Sequence, residues 1–512
     1  VIMFERRTRA VAVPLGLAVA LSGCAVGPDF KIPSPPDVEG YTSTPLPPRT
    51  SAAGVAGGKA QRFVKELDIP ADWWSLFHSR KLDALVDRAL QANPTLEAAL
   101  AALRQAQENA DAQRGKFVPT IQGNFTGTRQ TTPSNVLGSS IPLADGSTTN
   151  SFNVVTSQVI ISYTFDVWGQ NRRAVESLDA LADSQRFQAE AARLTLAATV
   201  ALAAIQEATL RDQITATREL ISINGKMLDI LQRQLTAGYA NRVDVAAQEA
   251  QLAQTVATLP PLEKQLGQQR NLLAALSGRF PSEGVPETFT LATFRLPADL
   301  PLSLPSRLID QRPDVRAAEG LLHSANAQVG VAIANMLPNF SINGSGGYTA
   351  TALGNIADYV SPTNRFLTLA GSATHTIFDG FTLLHQKRAA EAALDQAAAQ
   401  YRATVLIAFQ NVSDTLRALR SDANALKAAA EFEGAAKVSF DLVRQQFDSG
   451  YANVLLLLNA QQTYLQARIA TIQARANRLA DTVALYQALG GGWWNREASA
   501  DGLPLPPIRL DR

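Results

Sequence analysis

The sequence predicts a mainly α-helical chain with a β-barrel portion, built from one unit used twice, on three observations. First, Gly-Tyr-Ala-Asn occurs at Gly238-Tyr239-Ala240-Asn241 and again at Gly450-Tyr451-Ala452-Asn453, each time between two long segments of helical composition. A Gly just past a helix is the usual left-handed stop, and an Asn three residues on can cap the next helix, so each copy reads as the tight turn of an αα-hairpin. Second, four stretches switch to a period of two, the mark of strands. Third, the order of elements repeats: Pro338 follows Pro119 by 219 residues, and Gly450 follows Gly238 by 212. Such offsets mean an internal duplication rather than a solenoid.

The N-terminus is processing signal rather than fold. Arg6, Arg7 and Arg9 precede an apolar run, 10–21, too short to span as a mature helix. Val1-Ile2-Met3 leaves the start at a non-Met codon or at Met3. Leu21-Ser22-Gly23-Cys24 reads as a lipobox: 1–23 is a signal peptide, cleavage precedes Cys24, its thiol receives S-diacylglycerol and its new amine an N-palmitoyl chain. Cys24 is the only cysteine in 512 residues, so no disulfide framework exists in this exported chain. Ala25 rather than Asp follows, so nothing argues for retention at the inner membrane. Residues 24–70, rich in Pro, Gly, Ser and Thr, read as an extended segment running from the lipid anchor over a surface.

The first repeat is expected over 71–279. It opens at Ala71-Asp72-Trp73-Trp74. A helix over 81–91 sets Leu82, Leu85, Val86 and Leu90 on one face, Asn93-Pro94 breaks it, and an Ala-rich helix follows over 95–115. Strands are expected at about 120–131 and 150–166. Ile121, Gly123, Phe125 and Gly127 alternate with Thr120, Gln122, Asn124 and Thr126. Val155, Val159, Ile161, Tyr163 and Phe165 oppose Thr156, Gln158, Ser162 and Thr164. A helix over 170–237 would extend roughly 100 Å, which suits a coiled-coil-like or barrel-wall helix. After the turn, one returning helix is expected over 243–277, tolerating Pro260-Pro261. A Pro-rich linker, 280–305, separates the halves.

The second repeat, 306–490, restates this order. Helices over 306–311 and 313–335 precede strands at about 339–350 and 365–378. Phe378-Asp379-Gly380 parallels Phe165-Asp166. A helix over 381–448 carries Leu394, Ala398, Tyr401, Val405, Ala408 and Val412 at heptad spacing. The stripe then slips by one residue through Leu416, Leu419, Ala423, Leu426 and Ala430, which relaxes supercoiling. A return helix runs to about 489, and 491–512 is a C-terminal tail.

A net charge of +1 offers no basic field for nucleic acid. The four His residues have no ligand spacing, and there is no phosphate loop, nucleophile elbow or metal motif, so neither an enzyme nor a cofactor is expected. After Leu21 no run of 18 apolar residues occurs, so no transmembrane helix is expected. Four strands cannot close a barrel, and an open edge in lipid costs several kcal/mol for each unsatisfied backbone group. Small membrane barrels need about eight strands. The chain must therefore pool strands with copies of itself, and a homotrimer supplies twelve strands and twelve long helices. Polar strand faces would line water and apolar faces would meet lipid. The competing reading is a lipid-anchored helical scaffold without a pore.

Several motifs resemble one family. Cys24-Ala25-Val26-Gly27-Pro28-Asp29-Phe30, Asp72-Trp73-Trp74 with Phe77, Asn93-Pro94, and above all Gln311-Arg312-Pro313-Asp314-Val315-Arg316-Ala317-Ala318-Glu319 are similar to the outer-membrane factors, the TolC-like efflux channels, in their NodT-type lipoprotein branch. The resemblance implies a trimer, a twelve-strand outer-membrane barrel continuous with a twelve-helix periplasmic α-barrel, and a mixed belt at the 280–305 linker. It implies two partners, a periplasmic membrane-fusion adaptor and an inner-membrane efflux pump of the resistance-nodulation-division type. The activity implied is a passive exit duct for drugs or other small molecules; the exit duct of a type I protein secretion system is the alternative. It also places both turns at the periplasmic mouth. There Asp244 would form a carboxylate ring and Leu455 and Leu456 an apolar constriction. Asn459 stands where many relatives carry Asp. Gly238, Tyr239, Asn241, Gly450, Tyr451 and Asn453 become candidate adaptor contacts.

Overall fold

The computed structural model describes residues 25–38, 40–133, 149–350 and 359–496. Cys24 and the signal peptide lie outside the described residues. In chain order the elements are β1 (Arg62–Lys65), α1 (Arg80–Ala92), α2 (Pro94–Arg114), β2 (Thr120–Pro133), β3 (Thr149–Phe165), α3 (Gln170–Thr236), α4 (Arg242–Ala257), α5 (Leu259–Leu276), β4 (Asp299–Leu302), α6 (Pro305–Gln311), α7 (Pro313–Ala334), β5 (Asn339–Ala350), β6 (Arg365–Thr374), α8 (Thr382–Asp448) and α9 (Val454–Ala488). They fall into two compact units. One comprises 25–32, 105–182 and 320–399; the other comprises 33–104, 183–319 and the chain from 400 onward.

The first unit holds a four-stranded antiparallel sheet in the order β2-β3-β5-β6. Its register aligns the period-two patterns of all four strands. Ile121 pairs with Ile161, Ile161 with Gly344, and Gly344 with Leu369; Tyr163 pairs with Ile342, and Phe165 with Phe340. Because partners across a ladder share a face, these residues make one continuous apolar surface. Thr156, Gln158, Ser162, Ser341, Asn343 and Thr368 make the other, interrupted by Val154, Ile160, Phe366 and Ala370. Hydroxyls pair across the polar face, Thr156 with Thr349 at 3.1 Å and Ser341 with Ser372 at 2.7 Å. The apolar face lies open in this chain: Phe125 is 73% and Leu367 81% exposed.

β6 stops at Thr374 rather than reaching 378, because Thr374 pairs with Asn339, the last ladder residue before Pro338, which has no N–H to continue the pairing. Residues 26–30 dock on α3 and α7 in the same unit. The Val26 amide donates to the Trp168 carbonyl, Arg173 donates to Val26 O and pairs with Asp29 at 2.6 Å, Asn326 donates to Pro28 O, and Phe30 stacks on His323. Gly27 meets Gly330 with no space for a Cβ.

The second unit is helical around an aromatic core. Trp73 stacks on Tyr486 with ring centres 5.5 Å apart, and Trp74 and Phe77 meet it edge-on. Leu82, Leu85 and Val86 of α1 are buried; Leu90 is half-buried. On α8 the expected stripe is buried from Tyr401 through Leu426, including the one-residue slip. One stretch of α3 is long and apolar enough to cross a membrane by length and composition, but 56% of it is buried within the chain itself, as in a core-facing helix.

One further expectation is corrected in this unit. The single return helix over 243–277 is two helices, α4 and α5, divided at Thr258. Pro260 and Pro261 have no N–H to give to Val256 O and Ala257 O, which breaks the ladder there, and Thr258 closes the end of α4 with its amide and hydroxyl both on Thr255 O, the hydroxyl at 2.7 Å. The extended segment and the linker meet in a short strand pair that was not expected: β1 and β4 pair in parallel, with Arg62 opposite Asp299 and their side chains 2.9 Å apart.

Candidate functional site

The two hairpin turns are built from the same local chemistry. At the end of α3, Gly238 takes φ +80°, its amide donates to Leu235 O, and Tyr239 N donates to Gln234 O at 2.8 Å. At the end of α8, Gly450 takes φ +81°, its amide donates to Phe447 O, and Tyr451 N donates to Gln446 O at 2.8 Å. This is the paired-bond helix stop that requires a left-handed residue, which Gly adopts without Cβ strain. Asn241 then accepts from Asp244 N at 2.9 Å, and Asn453 from Leu456 N at 2.9 Å. Each Asn is extended and caps the following helix.

The caps fix an equivalence that motif inspection did not supply. Asp244 and Leu456 both sit three residues into their helices, Val243 matches Leu455, and Ala247 matches Asn459. Asp244 stands in the first turn of α4, where the helix N-terminus favours a carboxylate. The corresponding position in the second turn is apolar. Val243 is 75% and Leu455 66% exposed, so both turns present a large apolar side chain at one equivalent position. Leu456 and Asn459 are also exposed, and Asp244 is half-buried. Tyr239 and Tyr451 are almost wholly exposed. Val243 was missed in the sequence; the signal was its distance from the capping Asn.

Behind the turns the two hairpins share one core. Val245 of α4 packs with Val454 and Leu457 of α9, Met227 and Leu231 of α3, and Phe440 and Phe447 of α8. Farther along lie buried amides. Gln248 donates to Asn224 O at 3.0 Å and Asn224 to Thr255 Oγ1 at 3.2 Å. Thus the exposed apolar and aromatic side chains of the turns are mounted on two capped helices packed on one core.

The Arg312-Pro313-Asp314 run lies away from the turns. Arg312 is buried; it donates to Ala488 O at 2.9 Å and forks onto both oxygens of Asp314. Pro313 starts α7, where its missing N–H costs nothing. This run joins the end of α9 to the start of α7.

A model of the outer membrane efflux protein family matches residues 85–279 and 304–491. The pyoverdine export outer membrane protein OpmQ of Pseudomonas aeruginosa is 30% identical over 427 residues, 82% of this chain and 87% of its own length. Outer membrane protein OprJ of the same organism is 29% identical over 491 residues, 93% of this chain and 95% of its own. Among solved structures, the outer-membrane channel OprN superposes with a TM-score of 0.80 at 24% identity, covering 92% of this chain and all of that one. The CmeC channel of Campylobacter jejuni gives 0.80 at 21% identity, with coverage of 93% and 96%.

Proposed function

This chain belongs to the outer membrane efflux protein family, and from that premise we infer the work it does: it is an outer-membrane channel through which an efflux pump discharges small molecules. Its helical portion lies in the periplasm. The family is one of ducts rather than enzymes, and transport through it is passive. Relatives are named for pyoverdine, antibiotics and toluene, which is consistent with a duct that leaves substrate choice to the pump.

The observation that carries the barrel is the sheet. Four strands offer one continuous apolar face and one hydroxyl- and amide-rich face, with β2 and β6 at its two edges. In lipid those edges must be paired. Three chains joined edge to edge make a twelve-strand barrel with the apolar face toward lipid and the polar face toward water, and the same trimer assembles the long helices into a periplasmic tube. The turns form the periplasmic mouth: Asp244 lines it with charge, Leu455 and Leu456 narrow it, and Asn459 adds no charge. Tyr239 and Tyr451, with Gly238, Asn241, Gly450 and Asn453, meet a membrane-fusion adaptor, which links the mouth to an inner-membrane pump. Cys24 carries the diacylglyceryl and palmitoyl chains. Its neighbours, residues 26–30, dock on α3 and α7, which suits an anchor held at a set place.

The test is mass and conductance of the purified protein. In detergent it should have three times the chain mass and in planar bilayers it should conduct. A monomer that does not conduct would remove the barrel and restore the scaffold reading.

A further inference from the structure

The two repeats meet inside one chain where β3 pairs with β5. That seam is closed at the helix end of the sheet. Trp168 Nε1 donates to Pro338 O at 2.8 Å, and Gln170 Nε2 donates to Asn335 Oδ1 at 2.6 Å. The N-terminal segment covers it: Gly169 lies against Ala25 with no space for a Cβ. The duplication calls for a second seam of this kind. Lys116 and Pro119 stand 219 residues before Asn335 and Pro338, just ahead of β2, and residues 377–381 lead from β6 into α8. Within one chain β2 and β6 are opposite edges of the sheet, three strand spacings or roughly 14 Å apart, so the two ends do not meet.

The two strand-to-helix junctions are equivalent by their bonds. Asp166 accepts from the Asn171 amide at 2.8 Å, and Asp379 from the Leu383 amide at 2.8 Å. The Gly169 carbonyl accepts the first bond of α3 from Arg173 N, and the Phe381 carbonyl accepts the first bond of α8 from His385 N. Both residues are left-handed, at φ +77° and +68°. Glycine adopts that conformation freely, whereas phenylalanine holds it under strain. The Cβ direction that Ala25 fills in the first repeat is taken in the second by the Phe381 ring, which is 61% exposed and meets Phe378 edge-on. Ile377 and Phe378 lie exposed beside it, and Phe117 and Val118 lie exposed ahead of β2. The charges are complementary as well. Asp166 pairs with Arg172 at 3.2 Å, but Leu384 stands at the matching place in the second repeat. Among the described residues neither Asp379 nor Lys116 has an ion-pair partner. In the first repeat Asp166 and Asn335, the counterparts of Asp379 and Lys116, line one cleft.

We propose, resting on the trimeric channel reading above, that Phe381 closes the seam between neighbouring copies of this chain as the N-terminal segment closes the seam within each. The Phe381 and Phe378 rings pack on the partner's Phe117 and Val118, and Asp379 pairs with the partner's Lys116. Each chain has two strand-to-helix junctions but one N-terminus. In a trimer, therefore, three of the six junctions are covered by the segment and three by Phe381. The left-handed strain is retained because a glycine at 381 would leave the second kind of seam open.

The test is cross-linking of the purified full chain in detergent with a short bismaleimide. Val118→Cys and Phe381→Cys together should give covalent trimers on denaturing gels, and each change alone should give single chains. A trimer by native mass that stays unlinked in the double variant would overturn the seam and leave the channel reading standing; a monomer by mass would overturn both. Phe381→Gly reads the ring without a cross-linker. It relieves the strain in free and assembled copies alike, so its effect on association is that of the lost side chain. Trimer association, followed against protein concentration by sedimentation, should weaken at least about tenfold for one buried aromatic ring. Association equal to wild type would overturn the role of Phe381.

Discussion

The guanidinium of Arg312 donates to the carbonyl of Ala488 at 2.9 Å, so the start of the second repeat is tied to the end of the last long helix. The same side chain is only 9% exposed and also spans both oxygens of Asp314. A planar fork can serve a carbonyl and a carboxylate together; an ammonium cannot.

Arg312→Lys should therefore fail as a conservative change. Loss of the carbonyl contact from a buried cation should cost about 2–3 kcal/mol per chain. Denaturant unfolding of the purified protein checks this, and a midpoint within error of wild type would show that the fork is dispensable.

At the turns, Asp244→Ala combined with Leu455→Ala should raise single-channel conductance in planar bilayers. The first change should also reduce any preference for cations, because a carboxylate ring raises local cation concentration. An unaltered conductance would move the narrow point elsewhere in the duct.

Cys24→Ser should abolish incorporation of labelled palmitate while leaving the folded core intact, since residues 26–30 retain their contacts with Trp168, Arg173 and Asn326. Label persisting in the variant would refute lipidation at this residue.

The legible parts of the fold were those governed by short-range rules. A Gly followed three residues later by an Asn stops one helix and starts another by contacts no more than five residues apart, as Tyr239 to Gln234 and Asn241 to Asp244 bear out. Period-two alternation assigned the strand faces without knowledge of strand order, because a residue's face depends only on its parity along the strand. Three features were not readable in this way. β1 and β4 lie 237 positions apart, and neither four-residue strand has a pattern of its own. The divided return helix depended on whether packing would carry the chain through Pro260-Pro261. The grip of Arg478 on Thr50 and Lys59 joins residues more than 400 positions apart.

By itself, then, the sequence determined the duplication, the two capped turns, the two-faced strands and the family motifs, because each arises from local conformational preference or from direct repetition. The tertiary structure decided which residues of the two turns are equivalent, what the Arg312 run holds, where residues 26–30 dock, and that Arg478 grips the segment around Thr50 and Lys59. Those outcomes depend on helix rotation and on long-range contacts, which a local periodicity cannot encode.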